Sequence, residues 1–288
     1  MTDILIIGSG PAGISAALYA ARAGMDTLVV SSGQSALFKA HMIENYYGGS
    51  IPGDELYEKG IAQAKELGIE IKEDQVVGLG FDGDFIVTGE KSQYKAKAVI
   101  IATGSARKAP PLPGLSEFEG RGVSYCAVCD GFFHRGKNVA VLGSGTYALH
   151  EAMELSPIVE SVTILTDGQS PEFSLPDSVT NISVDTGKIK ELTGEELLSS
   201  VVFEDGKTLD VSGVFVAIGT AGSSDLARKL GAVTEGTKIA VNGEMATNIP
   251  GLYAAGDCTP GMLQVAKAVY QGAEAATSAI KFVRSQNK

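Results

Sequence analysis

A strand, a glycine-rich turn and a helix follow one another near the amino terminus of this chain, and the same succession returns in mid-chain. The repeat predicts an α/β fold with two Rossmann-like, three-layer domains of the dinucleotide-binding type. A further apolar strand near residue 255 predicts that the second domain is inserted into the first. With 288 residues, 36 of them glycine, and a hydrophobic content of 44%, the chain can form two such cores.

The first glycine turn follows a strand predicted at residues 3–7 and opens a helix predicted at residues 11–23. Backbone amides in such a turn and at the helix amino terminus suit a pyrophosphate group. The residues concerned are Gly8, Ser9, Gly10, Pro11, Ala12 and Gly13. The acid that would hold a ribose about twenty residues further on is absent, so Ser31, Ser32, Gln34 or backbone groups must replace it.

Two later strands indicate which dinucleotide binds at the first turn. The earlier one ends in Ala102, Thr103 and Gly104, and the later one ends in Gly256 and Asp257. Asp257 can accept a hydrogen bond from a ribityl hydroxyl, and a helix predicted at residues 265–283 can direct its amino terminus towards a flavin. Contacts divided between both ends of the chain favour FAD over a nicotinamide nucleotide at this site.

The second glycine turn lies at residues 143–148, between a strand predicted at 138–142 and a helix that leads to a strand at 161–165. Segments rich in proline and glycine at residues 110–114 and 248–251 mark the connections between the domains. The predicted layout is a discontinuous FAD-binding domain at residues 1–107 and 245–288. Residues 108–244 form the inserted domain.

The inserted domain carries the segment Cys126-Ala127-Val128-Cys129-Asp130. Two thiols separated by two residues can form a disulfide and reopen by exchange, while the adjacent carboxyl group transfers a proton to the leaving thiolate. A zinc site would need two more ligands, and Cys258 and the three histidines show no ligand spacing. The pattern therefore favours a redox-active dithiol without a metal, and Cys258 is interpreted as a small buried filler.

Composition disfavours several classes of partner. The formal net charge of −11 and the pI near 4.8 disfavour binding to nucleic acid, which is itself a polyanion. No apolar run is long enough to span a bilayer and no basic leader precedes the first strand, so we expect no membrane partner and a cytoplasmic location. Three cysteines, an odd number, indicate reactive thiols rather than a structural disulfide framework.

Four segments together resemble the low-molecular-weight bacterial thioredoxin reductases. They are residues 8–13, 101–104, 120–133 and 249–257. The resemblance implies a homodimer in which Cys129 faces the flavin, Cys126 attacks the disulfide of thioredoxin, and Asp130 acts as acid and base.

The same resemblance extends the set of expected FAD contacts to residues outside the glycine turns. The complete set is Gly8, Ser9, Gly10, Pro11, Ala12, Gly13, Ser31, Ser32, Gln34, Asn45, Ala102, Thr103, Gly104, Gly256, Asp257, Gln264 and Val265. One position departs from the family pattern, because Leu263 stands where an arginine commonly precedes the glutamine.

The second glycine turn departs further from the NADPH-dependent members of that family. Those members place histidine and arginine after the following strand, because a 2′-phosphate needs guanidinium partners. Residues 138–187 contain no Lys or Arg here but seven acidic residues. Tyr147 also occupies the first helical turn, where the family usually has a small residue, so its ring could crowd the path of a pyrophosphate.

Two interpretations of this degenerate site are open. Asp167 stands at a strand end about twenty residues beyond Gly145, where NAD-binding units place the acid that holds the ribose hydroxyls, so NADH is one candidate donor. The interpretation that we favour is that the domain carries the dithiol and binds no nicotinamide nucleotide.

Without a nucleotide, electrons must reach FAD from a protein or a small carrier. Reduced ferredoxin is favoured because flavins accept electrons singly as well as in pairs. In this respect the chain resembles the ferredoxin-dependent flavin thioredoxin reductases of anaerobic bacteria. The hypothesis is a flavin-dependent disulfide reductase that reduces thioredoxin. Its alternatives are an NADH- or NADPH-dependent thioredoxin reductase and a redox-sensing flavoprotein without turnover.

Overall fold

The computed structural model describes residues 1–105, 110–219 and 221–286. The chain divides into two compact units: unit 1 comprises Met1–Arg107 and Gly222–Lys288, and unit 2 comprises Lys108–Ala221. Each unit contains a parallel sheet with helices, which confirms the predicted α/β class. The expected first junction, between residues 107 and 108, lies outside the described residues.

Unit 1 is built on a seven-stranded sheet. Its strands are β1 (Thr2–Ile7), β2 (Thr27–Ser31), β3 (Glu70–Glu73), β4 (Val76–Asp82), β5 (Asp84–Gly89), β6 (Gln93–Ile101) and β17 (Leu252–Ala254). Their order is β3-β2-β1-β6-β5-β4, and β17 pairs with the end of β6. Strands β3, β2, β1, β6 and β17 run parallel to one another. Strands β4, β5 and the start of β6 form an antiparallel meander that the sequence analysis did not predict.

Helices pack on this sheet through small residues. The helices of unit 1 are α1 (Pro11–Arg22), α2 (Gly53–Glu66), α5 (Ser223–Arg228) and α6 (Val265–Gln286), and a 3₁₀ turn spans Ala36–Lys39. A Cβ atom on Gly272 would lie only 2.1 Å from the carbonyl oxygen of Ala12, so the backbones of α6 and α1 are in direct contact. This contact brings the start of α1 close to α6.

Unit 2 contains a five-stranded parallel sheet of order β10-β9-β8-β14-β7. These strands are β7 (Val123–Ser124), β8 (Asn138–Leu142), β9 (Ser161–Leu165), β10 (Ile182–Asp185) and β14 (Gly213–Val216). Helices α3 (Ala127–Asp130) and α4 (Thr146–Leu155) accompany it. A separate antiparallel sheet consists of β11 (Ile189–Gly194), β12 (Leu198–Phe203) and β13 (Thr208–Asp210).

The second junction differs from the one expected at residue 245, because residues 222–244 belong to unit 1. These residues include α5 and the hairpin of β15 (Thr234–Glu235) and β16 (Lys238–Ile239). Ser223 at the start of α5 shares a hydrogen bond with Thr103, with 2.7 Å between their hydroxyl oxygens, and Ile239 donates its amide to the carbonyl of Cys258 at 2.8 Å. Long-range hydrogen bonds of this kind cannot be read from a glycine- and proline-rich boundary.

Candidate functional site

The dithiol segment lies at the start of a short helix in unit 2. Cys126 and Cys129 form a disulfide, and Cys126 is the N-cap residue of α3. The amide of Cys129 donates to Sγ of Cys126 at 3.2 Å. This contact places Sγ of Cys126 at the amino terminus of α3.

The two sulfur-bearing residues differ in exposure. Cys126 is buried, with 3% of its surface exposed, whereas Cys129 is exposed. Val128, Phe132 and Phe133 beside them are exposed too, the two phenylalanines at 66% and 73%. The residue expected to attack thioredoxin is therefore the covered one in the disulfide state, and it lies beside an apolar surface.

Asp130 is held by a serine that the sequence analysis did not single out. The hydroxyl of Ser124 donates to Oδ2 of Asp130 at 2.6 Å and accepts from the amide of Cys126 at 3.1 Å. Ser124 is buried at the end of β7, so it links the predicted acid and base directly to the dithiol. Its position two residues before Cys126, at the end of a strand, is the only sequence signal for it.

A buried glutamate on α4 accepts a hydrogen bond from the first residue of α3. Glu151 on α4 is only 2% exposed, and its Oε2 accepts a hydrogen bond from the amide of Ala127 at 3.0 Å. It lies on the buried face of α4 together with Ala148 and Leu155. An acidic residue at three- and four-residue spacing from buried apolar residues is a signal that sequence inspection can detect.

The first glycine turn joins β1 to α1 as predicted. Gly8 has a φ of +109°, and a Cβ atom on it would lie 2.4 Å from the carbonyl oxygen of Ala102. A Cβ atom on Gly13 would lie 1.9 Å from the carbonyl oxygen of Gly8. Side chains are thus excluded at both positions, and the uncapped amino terminus of α1 leaves its first amides available to an anion.

Some of the remaining predicted contacts of unit 1 bond to other side chains, and the others are described by their exposure or position. Ser9 and Ser31 share a hydrogen bond of 2.7 Å, and Tyr57, which was not predicted, lies 2.8 Å from the hydroxyl of Ser9. Asn45 donates to Oε1 of Gln264 at 2.8 Å. Ser32, Gln34 and Thr103 are exposed, Gly104 is half-buried with a φ of +77°, and Val265 begins α6.

Asp257 follows β17 on a tight turn. Gly256 has a φ of +83°, and a Cβ atom on it would meet Cβ of Ala12 at 2.9 Å, so the turn lies against the start of α1. Oδ1 of Asp257 is buried, and within the described part of the chain it has no hydrogen-bond partner. A buried carboxylate oxygen normally has a partner, so this atom marks a place for a hydroxyl group of a ligand.

Cys258 is chemically inert in this setting. It is fully buried, and its thiol donates to the carbonyls of Ile101 at 3.3 Å and Ala255 at 3.2 Å. Burial raises the pKa of the Cys258 thiol to about 12. Because the thiolate is the reactive form, Cys258 contributes packing rather than redox chemistry.

The second glycine turn is covered by the chain itself. The amide of Glu172 donates to the carbonyl of Ser144 at 2.8 Å, and the hydroxyl of Ser144 donates to Oε1 of Gln169 at 2.9 Å. Oε2 of Glu172 lies 3.7 Å from the position of a Cβ atom on Gly145, at the start of α4. A carboxylate therefore lies close to the place where a nucleotide would put its pyrophosphate. Tyr147 is buried.

Asp167 has partners for both of its carboxylate oxygens. Oδ2 lies 3.0 Å from Nζ of Lys188, and Oδ1 accepts from the amide of Ile189 at 2.9 Å. The backbone of Asp167 also adopts a φ of +51°. Both carboxylate oxygens of Asp167 therefore already have a protein partner.

Across the described ranges, no group of three or more His, Cys, Asp or Glu side chains is arranged to hold a metal ion. Within the same residues, no helix has the length and apolar character needed to cross a membrane.

The family follows from comparison with known proteins. The profile described as pyridine nucleotide-disulphide oxidoreductase matches residues 2–272. The chain belongs to this family.

Relatives within the family are thioredoxin reductases. The protein from Peptoclostridium acidaminophilum is 36% identical and covers 98% of this chain and 97% of its own length; that from Bacillus subtilis is 35% identical, with 98% and 94% covered. An atypical thioredoxin reductase of Desulfovibrio vulgaris Hildenborough matches with a TM-score of 0.90 at 42% identity over 99% of both chains. A ferredoxin-flavin thioredoxin reductase of Clostridium acetobutylicum matches with a TM-score of 0.68 at 32% identity over 100% and 99%. The resemblance predicted from the sequence is thus confirmed.

The cofactor of this pyridine nucleotide-disulphide oxidoreductase is FAD. Unit 1 fits it, because no side chain caps the amino terminus of α1 and Asp257 offers an unpaired buried oxygen to a hydroxyl group. FAD bound there would supply the two electrons that open the disulfide. Sequence analysis missed several polar residues near the predicted sites, among them Ser124, Glu151, Tyr57 and Ser223.

Proposed function

We propose that this protein is an FAD-dependent disulfide reductase that reduces thioredoxin through Cys126 and Cys129, with reduced ferredoxin as its electron donor. The observation that carries the proposal is the Cys126–Cys129 disulfide at the start of α3, with Asp130 linked to it through Ser124. The similar proteins from Peptoclostridium acidaminophilum and Bacillus subtilis carry the name thioredoxin reductase, which supports the choice of substrate.

The reaction balances as a two-electron exchange. Two electrons, which reduced FAD would supply after two one-electron deliveries from ferredoxin, and two protons convert the disulfide into two thiols. The thiolate of Cys126 then attacks the disulfide of thioredoxin, which breaks that bond and forms a mixed disulfide. Cys129 attacks Sγ of Cys126, restores the internal disulfide and releases reduced thioredoxin. Asp130 holds the proton that the departing thiolate receives.

The exposed apolar residues beside the dithiol suit a protein partner. Val128, Phe132 and Phe133 present apolar surface within a few residues of the sulfur atoms. Aromatic residues of this kind are enriched where proteins dock. Since Cys126 is covered in the disulfide state, its attack requires the surroundings of α3 to open when the disulfide is reduced.

Three features of unit 2 support a donor other than NADPH or NADH. Residues 138–187 carry seven acids and no Lys or Arg. Glu172 and Gln169 cover the second glycine turn, and Asp167 is bound to Lys188 and Ile189. A ferredoxin-flavin thioredoxin reductase is among the similar solved structures, which supports ferredoxin as the donor.

The proposal also includes a homodimer and a cytoplasmic location.

An anaerobic titration tests the donor. Loss of flavin absorbance should follow addition of reduced ferredoxin and should be complete after about four one-electron equivalents per FAD, because the Cys126–Cys129 disulfide takes two of them and FAD the other two. It should not follow NADPH or NADH. Rapid loss of absorbance with either nucleotide would overturn the ferredoxin proposal in favour of the nucleotide-dependent alternative. With ferredoxin present, thioredoxin should be reduced catalytically; a flavin that is reduced and reoxidised while thioredoxin stays oxidised would point to a redox sensor.

Cysteine variants test the roles of the two sulfur atoms. Cys126→Ser should retain FAD, abolish reduction of thioredoxin and leave Cys129 to give a thiolate–flavin charge-transfer band at long wavelength. Cys129→Ser should instead trap a mixed disulfide between Cys126 and thioredoxin, visible by mass spectrometry. The opposite pattern would reverse the assignment, and Cys258→Ser should behave as the unmodified protein because its thiol is buried.

A further inference from the structure

The turn that carries Asp257 is held by two lysines. It spans residues 256–259, between β17 and α6, and its carbonyl groups at Gly256, Asp257 and Thr259 all accept from lysine side chains. Neither lysine belongs to the predicted FAD contacts or to the dithiol. Lysine side chains are rarely buried in proteins unless they have a partner. Here two lysine side chains donate to three backbone carbonyls of one short turn.

Lys267 is the more deeply placed of the two. It lies on the first turns of α6 with 9% of its surface exposed, and Nζ donates to the carbonyls of Gly256 and Thr259, each at 3.1 Å. Burial lowers the pKa of Lys267, while the nearby carboxylate of Asp257 opposes that shift. The ammonium group of Lys267 thus binds one carbonyl before Asp257 in the chain and one after it.

Lys238 approaches the same turn from the β15–β16 hairpin. Its Nζ donates to the carbonyl of Asp257 itself. Gln271 completes the arrangement, because its Oε1 accepts from the amide of Gly256 at 2.9 Å and from the hydroxyl of Thr259 at 2.8 Å. Within the described residues Oδ1 of Asp257 is buried without a hydrogen-bond partner, so it is the oxygen left for a ligand.

We propose that Lys267 and Lys238 are positioning residues that orient Asp257 towards FAD and offset its negative charge when the flavin is reduced. This inference rests on the proposed placement of FAD at Asp257. Reduction adds negative charge to a flavin, and a carboxylate beside it disfavours that change. Two ammonium groups in the same low-dielectric turn counteract it, so they favour the reduced cofactor over the oxidised one.

The test compares Lys267→Gln with Lys267→Arg in the FAD-loaded protein. Gln can keep one hydrogen bond but removes the charge, whereas Arg keeps the charge. Lys281→Gln is the matched control, because Lys281 lies on the same helix, is exposed and pairs only at the surface with Glu244 at 3.6 Å. The measurements are the FAD dissociation constant, from flavin fluorescence, and the flavin midpoint potential, from an anaerobic titration against a reference dye.

We expect Lys267→Gln to lower the ratio of reduced to oxidised FAD affinity about tenfold, which is about 30 mV towards more negative potential for a two-electron couple. Lys267→Arg and Lys281→Gln should stay within about twofold of the unmodified protein, or about 9 mV. A merely structural role would lower thermal stability and leave the potential of the folded fraction unchanged, and that result overturns the proposal.

Lys238→Gln provides a second arm in case Lys267→Gln does not fold. It should shift the potential in the same direction by about threefold in the affinity ratio, or about 14 mV. An unchanged potential in Lys238→Gln, with Lys267→Gln unfolded, also overturns the inference. The unmodified protein separates the two proposals: if it binds no FAD, the placement at Asp257 is wrong, whereas FAD binding with unshifted variants refutes only the role of the lysines.

Discussion

Ser124 is the residue through which the two reactive parts of the dithiol loop communicate. One hydroxyl group binds the carboxylate of Asp130 and the backbone of Cys126, so the acid cannot move without disturbing the loop. A hydrogen bond from a hydroxyl to a carboxylate is stronger than one between neutral groups. Ser124 is buried, so its hydrogen bond holds Asp130 beside the disulfide.

Ser124→Ala should slow reduction of thioredoxin about tenfold, because a misplaced Asp130 loses part of the advantage of general acid and base catalysis. It should also lower the free energy of unfolding by about 1–3 kcal/mol through loss of a buried hydrogen bond to a charged group. Steady-state assays and urea denaturation measure both effects. Ser200→Ala is the control, since Ser200 bonds to Thr193 in the separate antiparallel sheet. A stability loss at full activity would make Ser124 a structural residue only.

At this scale the sequence predicts covalent chemistry better than it predicts support. Cys126, Cys129 and Asp130 are adjacent in the chain, so their shared chemistry is visible in the pattern alone. Ser124 and Glu151 act through hydrogen bonds that exist only once β7, α3 and α4 have packed. The spacing of Asp167 in the sequence likewise gave no sign of its ion pair with Lys188, which forms only in the folded chain.

The contact between α1 and α6 fixes the position of the start of α1 relative to the turn that carries Asp257. Gly272 allows α6 to touch the backbone of Ala12, and Ala12 lies beside Gly256. The start of α1 and the turn that carries Asp257 are thus held against each other by residues without large side chains. Helix packing at this distance cannot absorb an added methyl group without displacing one of the helices.

Gly272→Ala should therefore lower the free energy of unfolding by about 1–3 kcal/mol and weaken FAD binding, because overpacking forces α6 away from α1. Gly60→Ala on α2 is the matched control: its Cβ would meet Cγ2 of Ile14 at 3.5 Å, an ordinary contact. That change should stabilise the protein by about 0.5–1 kcal/mol through helix propensity. Urea denaturation and FAD titration measure both variants, and equal stability in the two would contradict this account of the helix contact.

Element positions were largely predictable because the apolar strands and small-residue helices have strong local patterns. The strands at 138–142 and 161–165 agree with the predicted bounds, and α1 ends at Arg22, one residue before the prediction. The antiparallel strands were missed because β11, β12 and β13 alternate weakly and depend on pairing with one another. The junction at residue 222 was missed for the same reason, since long-range bonds define it.

The whole molecule contains two glycine turns of similar sequence with different neighbours. In the first turn Ser9 bonds to Ser31 and Tyr57, whereas in the second turn Ser144 bonds to Gln169 and Glu172. Each turn therefore serves as an internal comparison for the other, in the same chain and the same buffer. Ligand binding to the folded protein raises its stability in proportion to the logarithm of ligand concentration over the dissociation constant.

Addition of FAD to the apoprotein should raise the melting temperature by several degrees, since a ligand at a hundred times its dissociation constant contributes about 2.7 kcal/mol. NADPH and NADH at millimolar concentration should leave the melting temperature of the FAD-loaded protein unchanged. Differential scanning calorimetry measures both. A rise with NADH but not with NADPH would support the interpretation of Asp167 as a ribose ligand, and a rise with both would show that the second turn still accepts a nucleotide.

The cover over the second glycine turn has a consequence for how this protein could change its donor. Glu172 and Gln169 are tethered to the turn that they cover, so they compete with a free ligand at a fixed effective concentration, typically millimolar or higher for short connections. Because Gln169 and Glu172 belong to the same chain as the turn, dilution of the protein does not weaken their competition with a ligand. Adding one arginine for a 2′-phosphate would leave it in place, so under the proposed ferredoxin dependence a change to NADPH would require replacing residues 169–172 as well as the charge.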